Sequence, residues 1–285
     1  MTAPQTADTD SIVSPWAEKY ADWAMAKGIV RREDGIRNLT APAPRYQIAM
    51  LLHRFSEQYG IFAAADSRLE EKTYVSRNGT KLNYLLYTPT NAKADMPLIV
   101  YLHGGSAKGV DISLLTKGDG FPQYVKNSQL GEIPAYVLIP QLSADLKGWT
   151  DINDTLTELV GAAVKEFRIN RNRISLTGHS MGGTGAWNVA LRNPDLFSRI
   201  APLSGSIKLS PANVELLSEV SVWAFVGTDD TIVAPSASIH FIDALNRQNG
   251  TAKLTVLEGA THFDVPALAY LDEKVGLMDW LSYVK

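Results

Sequence analysis

Ser180 stands in Thr177-Gly178-His179-Ser180-Met181-Gly182-Gly183, with a glycine two positions away on each side and an apolar run directly before it. A serine hydroxyl is a weak nucleophile at neutral pH; it needs a base to take its proton, and the base needs a carboxylate to orient it. Five histidines are available. His53 falls in an N-terminal helical stretch, His103 precedes two glycines, His179 lies inside the serine turn and His240 sits in a helical pattern. His262 differs from these, because "EGATHFDVP" places it in a loop just after the last strand-like run, where the chain order nucleophile, acid, base requires it. For the acid, "WAFVGTDDTIVAP" brings Asp229 and Asp230 to the end of the penultimate run. Asp230, three residues past Gly227, is the first choice and Asp229 the alternative.

Acyl transfer through a serine also needs donors for a developing oxyanion. "RISLT" reads as a strand and "GTGAWNVALR" as the start of a helix, so the chain must turn between them within a few residues. Such a turn strains the serine backbone and draws it against neighbouring segments, where glycines remove the Cβ atoms that would collide. It also sets the amide of Met181 at a helix N-terminus, a natural oxyanion donor. A second donor is expected from the loop in "IVYLHGGSAKG", with the amide of Gly105 assigned and Ser106 as its neighbour in reserve. His103 reads as a structural residue that pins this loop. Ser106, His179 and Trp149, the last within "PQLSADLKGWTD", are expected to line the substrate cleft.

The elements that must hold these residues follow from the apolar pattern. "LEEKTYVSRNGTKLNYLLYTP" carries two strand-like runs around Asn78-Gly79, a hairpin signal because both turn residues tolerate positive φ. Short buried-type runs follow in "PLIVYLHG", "AYVLIP", "RISLTG", "RIAPLSG", "SVWAFVG" and "KLTVLEG". Helical stretches lie between most of them, at 152–167, 182–192 and 234–247, with a last one over 267–284. Strands alternating with helices predict an α/β fold with a mostly parallel central sheet flanked by helices. Residues 1–13 read as a disordered tail, 14–65 as a small helical hairpin and 66–285 as the catalytic domain.

The chain has 285 residues and a formal net charge of −3, with no concentrated basic face of the kind that nucleic acid or an anionic membrane would select. It contains no cysteine, which removes a disulfide framework, a thiolate metal site and a cysteine nucleophile. Its start, MTAPQTADTDS, lacks the basic and apolar regions of a Sec signal, so the default expectation is a cytoplasmic protein. No metal or cofactor is implied.

The segments "HGG", "GHSMGGTGAW", "GTDDTIV" and "GATHF" occur in the order found in the α/β-hydrolase family, and the resemblance covers about residues 70 to 285. Within it, "RISLTGHSMGGTGAWNVALRNPDLFSRIAPLSG" resembles compact bacterial esterases and peptidase-like relatives of feruloyl esterases and dienelactone hydrolase. The resemblance implies the α/β-hydrolase fold, Ser180, Asp230 and His262 as a triad, and a small-molecule ester as substrate, either an aryl ester of the feruloyl type or an acylated carbohydrate. A peptidase or amidase would use the same triad, and a vestigial fold serving cell-wall binding or assembly is the non-enzymatic reading. Further upstream, "SPWAEKYADWAMAKGIV" and "APRYQIAMLLHRFSEQYG" are similar to a single S-layer homology repeat, which implies a bacterial cell-wall polymer as partner. A functional repeat would imply wall association or release by a non-Sec route.

Overall fold

The computed structural model describes residues 69–117, 120–248 and 251–284, together with residues 24, 26, 27, 29, 30, 51, 52 and 55. The chain divides into two units, Met1–Ala64 and Ala65–Lys285. In the first, Ala24, Ala26, Leu51, Leu52 and Phe55 are helical. Ile29 is buried and its amide donates to the Ala24 carbonyl at 2.9 Å. The rest of the expected tail over 1–13 and of the hairpin resembling an S-layer homology repeat lies outside the described residues.

The second unit opens with β1 (Leu69–Val75) and β2 (Lys81–Tyr87), the antiparallel hairpin expected around Asn78-Gly79. Gly79 takes φ +85° and Asn78 Oδ1 accepts the Thr80 N–H at 2.9 Å, closing the turn. The six apolar runs become β3 (Leu98–Leu102), β4 (Tyr136–Pro140), β5 (Ile174–His179), β6 (Arg199–Leu203), β7 (Ser221–Gly227) and β8 (Lys253–Leu257). The eight strands form one sheet in the order β1-β2-β4-β3-β5-β6-β7-β8. β2 runs antiparallel to β4, and every pairing from β4 through β3 to β8 is parallel. This is the α/β-hydrolase fold.

Helices cover both faces, which explains why β3 reads as an unbroken apolar run with all five residues buried. Its alternate residues serve different cores. Leu98, Val100 and Leu102 pack with α2 (Asn153–Glu166), α3 (Met181–Arg192) and α5 (Ser236–Gln248), whereas Ile99 and Tyr101 pack with α1 (Phe121–Lys126), α6 (Val265–Tyr270) and α7 (Leu277–Leu281). A short α4 (Pro211–Leu216) precedes β7. The single helix expected over 267–284 is two. Asp272 accepts the Lys274 N–H at 2.9 Å and Gly276 adopts φ +71°, a local turn that breaks the helical path between α6 and α7.

The strand order places the site. β4 lies on one side of β3 and β5 on the other, so the loops leaving the carboxyl ends of β3 and β5 part and leave a crevice between them. Leu102 pairs with Gly178 across that boundary, which brings His103-Gly104-Gly105 level with Ser180.

Candidate active site

Ser180 directly follows β5 and caps α3 with φ +60° and ψ −121°, a backbone conformation costing on the order of 1–3 kcal/mol for a non-glycine residue. Its neighbours hold it there: its amide donates to the Leu203 carbonyl at 3.0 Å and its carbonyl accepts the Thr184 N–H at 2.9 Å. The flanking glycines are required by close approach. A Cβ on Gly178 would stand 2.5 Å from the Leu102 carbonyl oxygen, and one on Gly182 would stand 1.8 Å from the same atom. α3 therefore starts directly against the end of β3. Met181 is the first residue of α3, so its amide lacks an intrahelical partner by position.

The structure brings His262 and Asp230 together. His262 Nδ1–H donates to Asp230 Oδ2 at 2.7 Å, with both side chains buried. Asp230 Oδ1 accepts the amides of Ile232 and Val233 at 2.9 and 2.8 Å. Burial pushes the Asp230 carboxyl up, but the Val233 amide, the His262 ring, the nearby Ser204 hydroxyl and the Ile232 amide outweigh it and hold the group below its usual range. Asp229 is exposed and takes only the Thr228 hydroxyl at 3.2 Å, so it does not join the site.

Ser180 and His262 line one cavity of about 430 Å³, with His103, Gly104, Gly105, Ser106 and His179. With Nδ1 committed to Asp230, Nε2 is the ring nitrogen left for proton exchange. No hydrogen bond joins it to Ser180 Oγ among the described residues; such contacts are commonly long without substrate and tighten on binding. Apolar Ile232 and Phe263 sit at the cavity, 58% and 72% exposed. Gly105 begins a 3₁₀ turn over Gly105–Ala107, and a Cβ on the preceding Gly104 would lie 3.6 Å from Ser180 Cβ, which shows how near that loop passes. Met181 contributes to a second hollow of about 290 Å³ that also meets Ser180.

His103 is buried in the loop after β3. Its Nε2 accepts the Leu142 N–H at 2.9 Å and its Nδ1–H donates to the Gly104 carbonyl at 2.6 Å, which fixes the neutral tautomer. Burial lowers its pKa to about 4, against the opposing bond to Gly104. Trp149, expected in the cleft, is only 1% exposed: its Nε1–H donates to the His103 carbonyl at 3.1 Å and its ring meets the His103 ring edge-on. It props the His103-Gly104-Gly105 loop, held by the tight fit of Gly185, where a Cβ would stand 2.5 Å from the indole, and it also lines the smaller hollow that meets Ser180. His179 lines the cavity as expected and does more. Its Nε2–H donates to the His262 carbonyl at 2.9 Å and its ring lies 4.6 Å from that of His262. Burial, with the neighbouring His262 ring, lowers its pKa to about 4. His240 is exposed on α5, and His53 falls outside the described residues.

Sequence reasoning missed Tyr101, which also lines the cavity. A strand buried on both faces offers no alternation to say which of its residues faces a site.

Comparison with proteins of known sequence finds no match among curated proteins. Among solved structures, a thermostable esterase is similar at TM-score 0.64 and 24% identity, over 75% of this chain; the chain spans 62% of that esterase's length. A feruloyl esterase module from Clostridium thermocellum, a mutant complexed with sinapinate, matches at TM-score 0.53 and 19% identity, over 72% of this chain and 88% of the module. S-formylglutathione hydrolase from Staphylococcus aureus matches at TM-score 0.54 and 18% identity, over 75% of this chain and 96% of that one. At these identities the structures speak for the fold. The family model described as "Putative esterase" matches residues 77–266, and the chain thus belongs to the Esterase family.

Proposed function

We propose that the protein is a serine carboxylesterase that works through an acyl-enzyme. Ser180 Oγ attacks the ester carbonyl while His262 Nε2 takes its proton, and the same nitrogen returns that proton to the departing alcohol. Asp230 holds the His262 ring in the Nδ1–H tautomer and offsets the positive charge it gains. The amides of Gly105 and Met181 are the donors for the oxyanion, and a water activated by His262 then releases the acid. The observation that carries this reading is the buried 2.7 Å bond to Asp230 from His262, which lines the same cavity as Ser180.

For the substrate, we propose a small ester with an aryl acid of the feruloyl type or an acyl group carried on a sugar. Two things support this: the partly apolar cavity, and the sinapinate held by the feruloyl esterase module of the same fold. Ser180→Ala should lower kcat on phenyl acetate by about 10⁶-fold with the melting temperature little changed. A Ser180→Ala protein that retains most of its turnover overturns the assignment.

A further inference from the structure

The cavity beside Ser180 has a wall for which ester hydrolysis itself has no use. Tyr101 lies on β3, two residues before His103, and is 4% exposed. It faces the cavity in company with Leu114, Leu115, Gly120 and Pro122. Its ring stacks on Phe121 at 4.9 Å between centroids and meets Tyr270 edge-on at 6.3 Å. A Cβ built on Gly120 would stand 3.8 Å from Tyr101 Oη, so the hydroxyl sits at the Gly120 end of the cavity.

That hydroxyl has no hydrogen-bond partner among the described residues. Its neighbours are better provided for: Tyr270, equally buried, shares a hydrogen bond of 2.6 Å with Thr177 Oγ1, and Tyr87 Oη accepts the Ile133 N–H at 3.1 Å. Packing does not call for the hydroxyl, since phenylalanine would make the same stack, and the hydroxyl of a residue that lines the cavity is placed to meet what enters it. Burial also raises the Tyr101 phenol above its ordinary pKa, so it stays protonated and can donate throughout the neutral range.

We propose that Tyr101 Oη–H is the specificity-determining donor of this cavity, recognising a carbonyl, ether or hydroxyl oxygen at the remote end of an apolar, ring-sized substrate group. The proposal rests on the esterase reading above. Ser180, His262 and the Gly104-Gly105 loop all border the cavity, so either half of the ester can enter it, and the test has an arm for each.

The acyl arm compares methyl 3-phenylpropanoate with its 4-methoxyphenyl analogue, and the alcohol arm compares phenyl acetate with 4-methoxyphenyl acetate. Each is assayed with the wild type, Tyr101→Phe and, as the blank, Ser180→Ala. The expected result is that Tyr101→Phe lowers the ratio of kcat/KM for the methoxy ester to that for the unsubstituted ester about tenfold in one arm, since the donor serves only the oxygenated ligand. The arm that responds identifies the half that fills the cavity. Tyr101→Phe should melt no lower than the wild type. An equal loss on both esters of a pair, or unchanged ratios in both arms, overturns the proposal. Absence of Ser180-dependent turnover of phenyl acetate defeats the esterase reading and the proposal with it, whereas turnover indifferent to Tyr101 defeats the proposal alone.

Discussion

Asp229 and Asp230 are adjacent in the chain and opposite in circumstance. One is exposed, while the other is 7% exposed, takes two backbone amides on one oxygen and gives the second oxygen to His262. Replacing Asp230 by Asn keeps the shape but presents an N–H where His262 Nδ1 needs an acceptor, so the ring turns to the wrong tautomer. On the proposed mechanism Asp230→Asn should lower kcat by about 10⁴-fold, and Asp229→Asn should leave it within about threefold, both measured on phenyl acetate. The choice between them was legible in the sequence only as spacing from Gly227, and the hydrogen bonds supply the reason. Ser180 and His262 were legible from their places at strand ends. Trp149 borders the hollow beside Ser180 that Met181 also meets, and the linear sequence gave no sign that the same indole props the His103 loop.

The elements were legible to the extent that their apolar patterns were. Each of the six short apolar runs became a strand; the inner ones are buried nearly throughout because helices cover both faces, whereas β8, at the sheet edge, is only partly buried. The terminal helix failed as a single element because the Asp272 turn and the left-handed Gly276 interrupt a pattern that still looks amphipathic. α1 and α4, at six residues each, are too short to show a period. Packing between elements sets a sharper demand, which two glycines expose. Gly182→Ala drives a Cβ into the Leu102 carbonyl, whereas a Cβ on Gly161 of α2 meets nothing within 4 Å. Denaturant unfolding should show a loss of at least about 3 kcal/mol for the first and a gain of about 0.5–1 kcal/mol for the second.

Across the whole Ala65–Lys285 unit, stability is linked to pH through two histidines held neutral at the site. His103 and His179 have folded pKa values of about 4, below the ordinary value of 6.5. A depressed pKa contributes stability that is fully present above pH 6.5 and is lost as pH falls toward 4, because protonation is easier in the unfolded chain. For His103, which is 2% exposed and whose Nε2 must accept the Leu142 amide, this contribution is on the order of 3 kcal/mol. The melting temperature should therefore fall steadily between pH 6.5 and 4. His103→Gln should melt lower at pH 7 and show a shallower decline; an identical slope in that variant rules the linkage out.

The bond from His179 to the His262 carbonyl has a mechanical consequence for the same unit. His262 is carried on a loop whose neighbours Glu258, Gly259, Thr261 and Phe263 are exposed, while Ser180 directly follows the end of a central strand. Tying the backbone of His262 to the residue preceding Ser180 couples the two, so a displacement of β5 pulls on the His262 loop as well. Shear between the strand end and the loop must stretch that hydrogen bond before it changes the spacing of Ser180 and His262.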